Sequence, residues 1–138
     1  MRVLGLDPGE KTIGVAVSDG LGITAQGVCV IRRASREKDF AALLKIIDEY
    51  DINSIIIGLP KNMDGSLGPQ AEKALSFAEA LKKRFGLPVE MTDERLTTAL
   101  VQKTLIEGGA SRAKRKTVID MLAAQVILQG WLDRKRRG

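Results

Sequence analysis

The fold of this chain is decided by residues 2–18, RVLGLDPGEKTIGVAVS. Two apolar runs flank a turn in which Pro8 and Gly9 supply the turn chemistry, so the stretch predicts a strand, a tight turn and a second strand. Asp7 ends the first strand, where its carboxylate faces either solvent or a metal ion. The same residues also fit an Asp-Pro-Gly turn in which the carboxylate bonds its own backbone.

The rest of the chain adds three strands and four helices to this pair. Helical spacing of apolar residues begins after Ser35, which fits a helix N-cap. The order predicts an α/β domain in which helices cover both faces of one mixed sheet. The predicted elements are a strand at Ile23–Arg33, a helix from Ser35, a strand at Ser54–Pro60, a helix opened by Pro69 and ended by Gly86, a strand at Leu87–Met91, a helix using Leu96, Leu100, Leu105 and Ile106, and a helix from Ala113 or Thr117 to Asp133.

Length and composition predict one domain over residues 1–138. The 138 residues, 44% of them hydrophobic, suffice for a single core and leave no room for a second. No apolar run approaches the ~20 residues of a membrane span, and the start lacks a signal-peptide pattern, so we expect a cytoplasmic protein. The single Cys29 excludes an internal disulfide, and the absence of histidine excludes a histidine base or zinc site. Any metal ion is therefore held by oxygen.

The positive charge is concentrated in the last quarter of the chain. Residues 1–102 hold 13 Lys/Arg against 14 Asp/Glu, whereas residues 103–138 hold 9 against 3. The excess lies mainly in Arg112–Lys116 and Arg134–Arg137, and such an asymmetry indicates a polyanionic partner. The second cluster also fits a solvated basic tail at about 134–138.

Acidic residues stand at the ends of elements that meet at one predicted edge of the sheet. Asp7 ends the first strand, Asp93 and Glu94 follow the fifth, and Asp120 lies early in the last helix. Mg²⁺ requires near-octahedral oxygen ligands held by rigid elements, so we expect a metal site there. The residues alone do not choose between Asp93 and Glu94, since neighbours at a strand end point to opposite faces.

Each acid also has a purely structural interpretation. Thr117-x-x-Asp120 resembles a capping box, and Glu94 fits a first-turn acid or an ion pair with Arg95. Asp120, however, shares a helical stripe with apolar residues, where an unpaired carboxylate would be costly to bury. A shared metal ion would supply its partner.

The loop Gly58–Gly65 follows the predicted central strand at its carboxyl end, where parallel sheets tend to bind ligands. Lys61 and Asn62 are candidates for phosphate contact there, and Asp64 is a weaker metal candidate. The alternative is a connecting loop in which Asp64 and Gly65 make a turn.

Four motifs together resemble the YqgF family of bacteria, the pre-16S rRNA nucleases also called Holliday junction resolvase-like proteins. The resemblance covers essentially the whole chain. It implies an RNase H-like fold with a five-stranded sheet in the order 3-2-1-4-5, strand 2 antiparallel, flanked by helices. The motifs are Asp7-Pro-Gly-x-x-x-x-Gly-Val-Ala, Gly58-Leu-Pro-x-x-Met-Asp-Gly65, Asp93-Glu-Arg-Leu-Thr-Thr98 and Asp120-x-x-Ala-Ala-x-x-Ile-Leu128.

The resemblance implies that Asp7, Glu94 and Asp120 are catalytic and hold Mg²⁺ or Mn²⁺. The implied activity is hydrolysis of phosphodiester bonds in structured nucleic acid, in processing of the 5′ end of pre-16S rRNA during ribosome biogenesis. Basic side chains near the scissile group would neutralise phosphate. The candidate nucleic-acid-binding residues are Lys61, Asn62, Arg95, Lys114, Arg115 and Lys116.

This chain departs from the related RuvC-type resolvases at two positions. Those proteins place one acid after the fourth strand and another one turn along the last helix, where this chain has Gly58-Leu-Pro60 and Ala123. The number of ions, and catalysis without a fourth acid, stay open.

Three other functions stay open at this point. They are resolution of branched DNA junctions, non-catalytic nucleic-acid binding in ribosome assembly, and ATP binding in the manner of actin-like ATPases, whose lobes resemble this fold. The last requires two lobes, and 138 residues supply one. The sequence does not decide between RNA and DNA, or between a monomer and a homodimer.

Overall fold

The computed structural model of the protein describes residues 1–60, 64–93 and 112–137. These residues form a five-stranded sheet in the order β3-β2-β1-β4-β5, in which β2 is antiparallel to both neighbours and β1, β4 and β5 are parallel. The predicted order and the antiparallel second strand are confirmed. The elements are β1 (Arg2–Pro8), β2 (Thr12–Ser18), β3 (Ala25–Arg32), α1 (Arg36–Glu49), β4 (Ile52–Leu59), α2 (Pro69–Phe85), β5 (Val89–Asp93) and α3 (Arg112–Arg137).

Alternation along the strands divides the core between the two faces of the sheet. Leu4 and Leu6 of β1 pack with residues of α1 and α2, whereas Val3 packs with Ala124 and Leu128 of α3. We call these the α1/α2 face and the α3 face. The fully buried β4 residues Ile55 and Ile57 join the first cluster and Ile56 joins the second, as predicted for a strand covered on both sides.

Local signals in the sequence set the ends of α1 and α2. The Ser35 side chain accepts a hydrogen bond from the backbone N–H of Lys38 at 3.2 Å, so Ser35 is the predicted N-cap of α1. Pro69 opens α2, and Gly86 ends it in the left-handed conformation at φ 66°. These three predictions are confirmed.

Strand β5 lies two residues further along the chain than the sequence pattern predicted. The predicted Leu87 start was wrong because Pro88 has no N–H for the ladder, and its carbonyl instead accepts a hydrogen bond from Ile55 at 2.9 Å. Asp93 is consequently the last residue of β5, paired with Leu59, rather than a residue that follows the strand.

Helix α3 is longer at both ends than predicted. It begins at Arg112, so Thr117 lies inside the helix, and it runs through Arg137, so the predicted basic tail is helical. Arg134 is held there by a hydrogen bond of 2.5 Å from its Nη2 to the Thr92 hydroxyl. Among the described helices, none is long and apolar enough to span a membrane. The predicted helix using Leu96, Leu100, Leu105 and Ile106 lies outside the described residues.

Glycines in three strands let α3 approach the sheet closely. A Cβ atom added to Gly14 would lie 1.9 Å from the carbonyl oxygen of Asp120, far inside van der Waals contact. Added Cβ atoms at Gly5 and Gly27 would lie 2.8 Å and 2.7 Å from side-chain atoms of Leu128 and Met121. The contact at Gly14 is backbone against backbone, so only glycine fits there.

Candidate active site

Asp7 lies at the end of β1 on the α3 face. It is paired with Gly14 of β2, and directly opposite residues in antiparallel strands share a face, with Cα atoms about 4.5–5.5 Å apart. The Cβ direction of Gly14 meets the Asp120 carbonyl. Asp7 therefore faces the same helix, at the level of Asp120.

Asp120 is oriented by the residue that begins β2. Its Oδ2 accepts a hydrogen bond of 2.7 Å from the Thr12 hydroxyl, while the Thr12 carbonyl accepts from the Gly9 N–H at 2.8 Å and closes the turn after Asp7. Within the described part of the chain, Oδ1 has no hydrogen-bond partner. Because Thr117 lies inside α3, the capping-box interpretation of Asp120 is wrong.

The end of β5 shows the position of Asp93, one of the two acids between which the sequence did not choose. Thr92 lies on the α3 face, where it accepts the hydrogen bond from Arg134. Side chains alternate along a strand, so Asp93 lies on the opposite face from Asp7 and Asp120. Glu94 and Arg95 lie outside the described residues, and the predicted roles of both remain predictions.

The acids on the α3 face offer the kind of ligand that a hard cation requires. Carboxylate oxygens suit Mg²⁺ and Mn²⁺. Within residues 1–60, 64–93 and 112–137, no three potential ligand side chains lie close enough to hold one ion. A three-carboxylate site would need a residue from outside these ranges, which is where Glu94 lies. Ala123, only 1% exposed, packs in the interior.

The predicted phosphate-binding residues fall into two groups. Lys61, Asn62 and Arg95 lie outside the described residues. Lys114, Arg115 and Lys116 belong to the first two turns of α3, in the stretch that precedes Asp120.

Asp64 serves the turn that the alternative interpretation predicted. One carboxylate oxygen, Oδ1, accepts hydrogen bonds from the Ser66 N–H at 2.9 Å and from its hydroxyl at 2.6 Å, and Gly65 has a φ of 89°. These contacts fit the turn interpretation of Asp64.

Two residues that shape this site were missing from the prediction. Thr12 looked like an ordinary first residue of a strand, and nothing in its local sequence indicates a partner 108 residues away. Gly14 carried a usable signal, because a glycine within an apolar strand often marks close approach of another backbone.

The sequence of nearly the whole chain matches one protein family. The RuvX family, described as "Holliday junction resolvase", matches residues 1–134. The chain belongs to the RuvX family. RuvX and YqgF are two names for one family, so the family predicted from the four sequence motifs is confirmed.

Close relatives in RuvX cover nearly the whole chain. A protein of Myxococcus xanthus is 54% identical over 136 residues, which is 99% of this chain and 90% of the relative. A protein of Clostridioides difficile is 56% identical over 134 residues, covering 97% of this chain and 95% of the relative. Both are named "Putative pre-16S rRNA nuclease".

A solved structure gives independent support for the fold. The RuvC of Thermus thermophilus superimposes with a TM-score of 0.57 over 99% of this chain and 97% of its own. The two sequences are 16% identical, so the likeness concerns the fold alone. The predicted RNase H-like architecture is confirmed.

Proposed function

We propose that this RuvX chain is a metal-dependent nuclease that hydrolyses phosphodiester bonds in structured nucleic acid, and that its natural reaction is processing of the 5′ end of pre-16S rRNA. The observation that carries the proposal is the placement of Asp7 and Asp120 on one face of the sheet. The names of the relatives from Myxococcus xanthus and Clostridioides difficile support the substrate. Such a substrate places the protein in the cytoplasm.

Asp7, Asp120 and Glu94 would hold Mg²⁺ or Mn²⁺. The alternation of side chains along a strand favours Glu94 over Asp93 as the third ligand. Thr92 faces α3, and the residue two positions later would face the same way if the strand continued. When bound, the metal would acidify the attacking water and neutralise charge on the phosphate oxygens.

The side chains around these acids have separate roles in the proposal. Thr12 fixes the Asp120 carboxylate in one orientation through its hydroxyl. The chain has no histidine, so a carboxylate or bulk solvent takes the proton released from water. The predicted cations Lys114, Arg115 and Lys116, which precede Asp120 on α3, would neutralise the substrate backbone. Lys61, Asn62 and Arg95 would add further phosphate contacts.

The direct test is cleavage of defined substrates by the purified full-length chain in Mn²⁺. We expect cleavage of an RNA that carries the 5′ precursor segment of 16S rRNA, and no cleavage in EDTA or by the Asp7→Asn variant. Absence of metal-dependent cleavage of any structured nucleic acid would contradict the proposal, and stable RNA binding without cleavage would favour the non-catalytic assembly role.

A second substrate follows from the family description, which names a Holliday junction resolvase. A four-way DNA junction with a matched linear duplex as control belongs in the same assay. Faster cleavage of the junction than of the precursor RNA would make branched DNA the substrate.

A further inference from the structure

A cleft of about 350 Å³ opens beside the β1–β2 turn, between it and the N-terminal parts of α1 and α2. Its lining includes three cationic side chains, Arg33, Arg36 and Lys73, and one carboxylate, Glu10. The cleft therefore carries an excess of positive charge. None of these cations belongs to residues 103–138, where the sequence concentrates its positive charge.

Arg33 is held in place on three sides. Its Nη1 donates to the Gly9 carbonyl at 2.7 Å, its guanidinium lies 5.2 Å from the centre of the Phe77 ring, and its Nε is 3.8 Å from the Asp39 carboxylate. A fixed guanidinium loses little conformational entropy when it binds an anion. Gly9 belongs to the turn that follows Asp7, so Arg33 connects the cleft to the acidic site.

The other two cations are more available for an incoming anion. Arg36 and Lys73 are exposed, and neither has an ion-pair partner within the described residues. Arg36 is the first residue of α1, where the helix dipole adds positive potential, and Lys73 is the fifth residue of α2. The opposing carboxylate of Glu10 accepts a hydrogen bond of 2.8 Å from the Gln70 amide, which occupies part of its acceptor capacity.

We propose that the cleft formed by Arg33, Arg36 and Lys73 binds a backbone phosphate of the nucleic-acid substrate, away from the bond that is cut. The inference rests on the proposed nuclease function. Asp7 lies near the end of β1 and faces α3, and the turn that follows it borders the cleft on the α1/α2 side. A nucleic acid that crosses this end of the sheet therefore meets the acids and the cleft together.

The test compares two double variants of equal charge. Arg36→Gln with Lys73→Gln removes two cations from the cleft and leaves Arg33 and its structural contacts in place. Lys82→Gln with Lys83→Gln removes two exposed cations from the other end of α2. Affinity for a stem–loop RNA and for a four-way DNA junction is measured in EDTA across a salt series, with the full-length chain.

The cleft variant should bind more weakly, with the slope of log affinity against log salt reduced by up to about 0.7–0.9, the contribution of the one phosphate contact assigned to the cleft. The control variant should keep the wild-type slope. Glu10→Gln should raise affinity by up to about fivefold, because it removes the one carboxylate of the cleft lining. Melting curves of all variants in the same buffers verify that they are folded.

Outcomes separate this inference from the nuclease proposal. An unchanged slope in the folded cleft variant would overturn the inference even if the protein cleaves RNA in Mn²⁺. A reduced slope in the cleft variant, together with a wild-type protein that cleaves no substrate, would support the cleft inference and contradict the proposed nuclease function. A wild-type chain that binds neither probe would overturn both. The RNA and DNA arms show which backbone the cleft prefers.

Discussion

The Thr12 hydroxyl donates a hydrogen bond of 2.7 Å to the Asp120 carboxylate and so joins the turn after Asp7 to helix α3. The bond spans 108 residues of sequence and is partly buried. Because it uses Oδ2 of Asp120, it limits the directions in which the remaining oxygen faces the site. The orientation of this acid is thus set from β2 as well as from its own helix.

Replacing Thr12 by valine should therefore weaken metal binding without unfolding the protein. Loss of a hydrogen bond that orients a ligand typically costs about 10–100-fold in metal affinity, and we expect a loss of this size for Mn²⁺, measured by calorimetry. Thr12→Ser keeps the hydroxyl and serves as the matched control. Equal Mn²⁺ affinity in the valine variant and the wild type would show that the bond serves structure alone.

Asp7→Asn should abolish cleavage while the fold is kept or slightly stabilised, because neighbouring carboxylates repel each other in the absence of metal. Mn²⁺ should raise the melting temperature of the wild type, since a ligand that binds only the folded state stabilises it, and it should have little effect on the variant. Thermal melts with and without Mn²⁺ measure both. If the wild type melts at the same temperature with and without Mn²⁺, and the Asp7→Asn variant is less stable, these acids serve the structure and not metal binding.

Substitutions at the end of β5 should distinguish its two adjacent acids. Asp93→Asn should retain most of the cleavage rate because Asp93 faces away from Asp7 and Asp120, whereas Glu94→Gln should lose cleavage. Single-turnover cleavage in Mn²⁺ gives the two rates, and Mn²⁺ titrations show whether the loss arises at the metal. The reverse pattern would assign the third ligand to Asp93.

Gly14→Ala should destabilise the protein by about 1–3 kcal/mol, the usual cost of overpacking, because the new methyl group would overlap the Asp120 carbonyl. Urea unfolding measures the free-energy change, and Mn²⁺ affinity should fall with it as α3 moves. Gly20→Ala is the control, since nothing lies within 4 Å of its added Cβ. Equal stability of the two variants would show that α3 yields easily at this contact.

The turn between β2 and β3 should give the protein an acid-sensitive contribution to stability. Hydrogen bonds from the Ile23 N–H and the Thr24 N–H to the Asp19 carboxylate lower the pKa of that carboxyl below its ordinary value. A lowered folded-state pKa stabilises the protein above the unfolded-state pKa, and this stabilisation disappears as the pH falls through the folded-state pKa.

Melting curves at a series of pH values should thus show a constant advantage of wild type over Asp19→Ala from neutral pH down to about pH 5. The advantage should shrink at lower pH. Asp19→Asn keeps an acceptor oxygen without the charge, so its stability relative to alanine should not change with pH. If the wild type stays more stable than Asp19→Ala in strong acid by the same amount, the stabilisation does not come from the charge of the Asp19 carboxylate.

Sequence reasoning was most reliable where the deciding interaction is local. The Ser35 cap and the Gly86 helix end depend on neighbouring residues, and the bounds of β2 follow from its own apolar run. The ends of β5 and α3 depend instead on partners elsewhere in the chain. Arg134, for example, continues the helix where it contacts Thr92.

The same distinction applies to the site. Asp7 and Asp120 could be predicted to meet because the order of strands brings their elements to one end of the sheet. The hydrogen bond of Thr12 to Asp120 and the cleft at Arg36 and Lys73 could not be predicted, since both depend on how closely helices pack against the β1–β2 turn. Packing distance is a property of the whole core and leaves no local pattern.

The contact between Gly14 and the Asp120 carbonyl has a consequence for how the two acids are spaced. Side chains between a helix and a sheet can change rotamer and let the two layers slide, but two touching backbones have no such freedom. The gap between the strand of Asp7 and the helix of Asp120 is therefore built in before any ion arrives. If Asp7 and Asp120 hold a cation as proposed, the ion would meet a preorganised pair of ligands and would spend little of its binding energy on reshaping them.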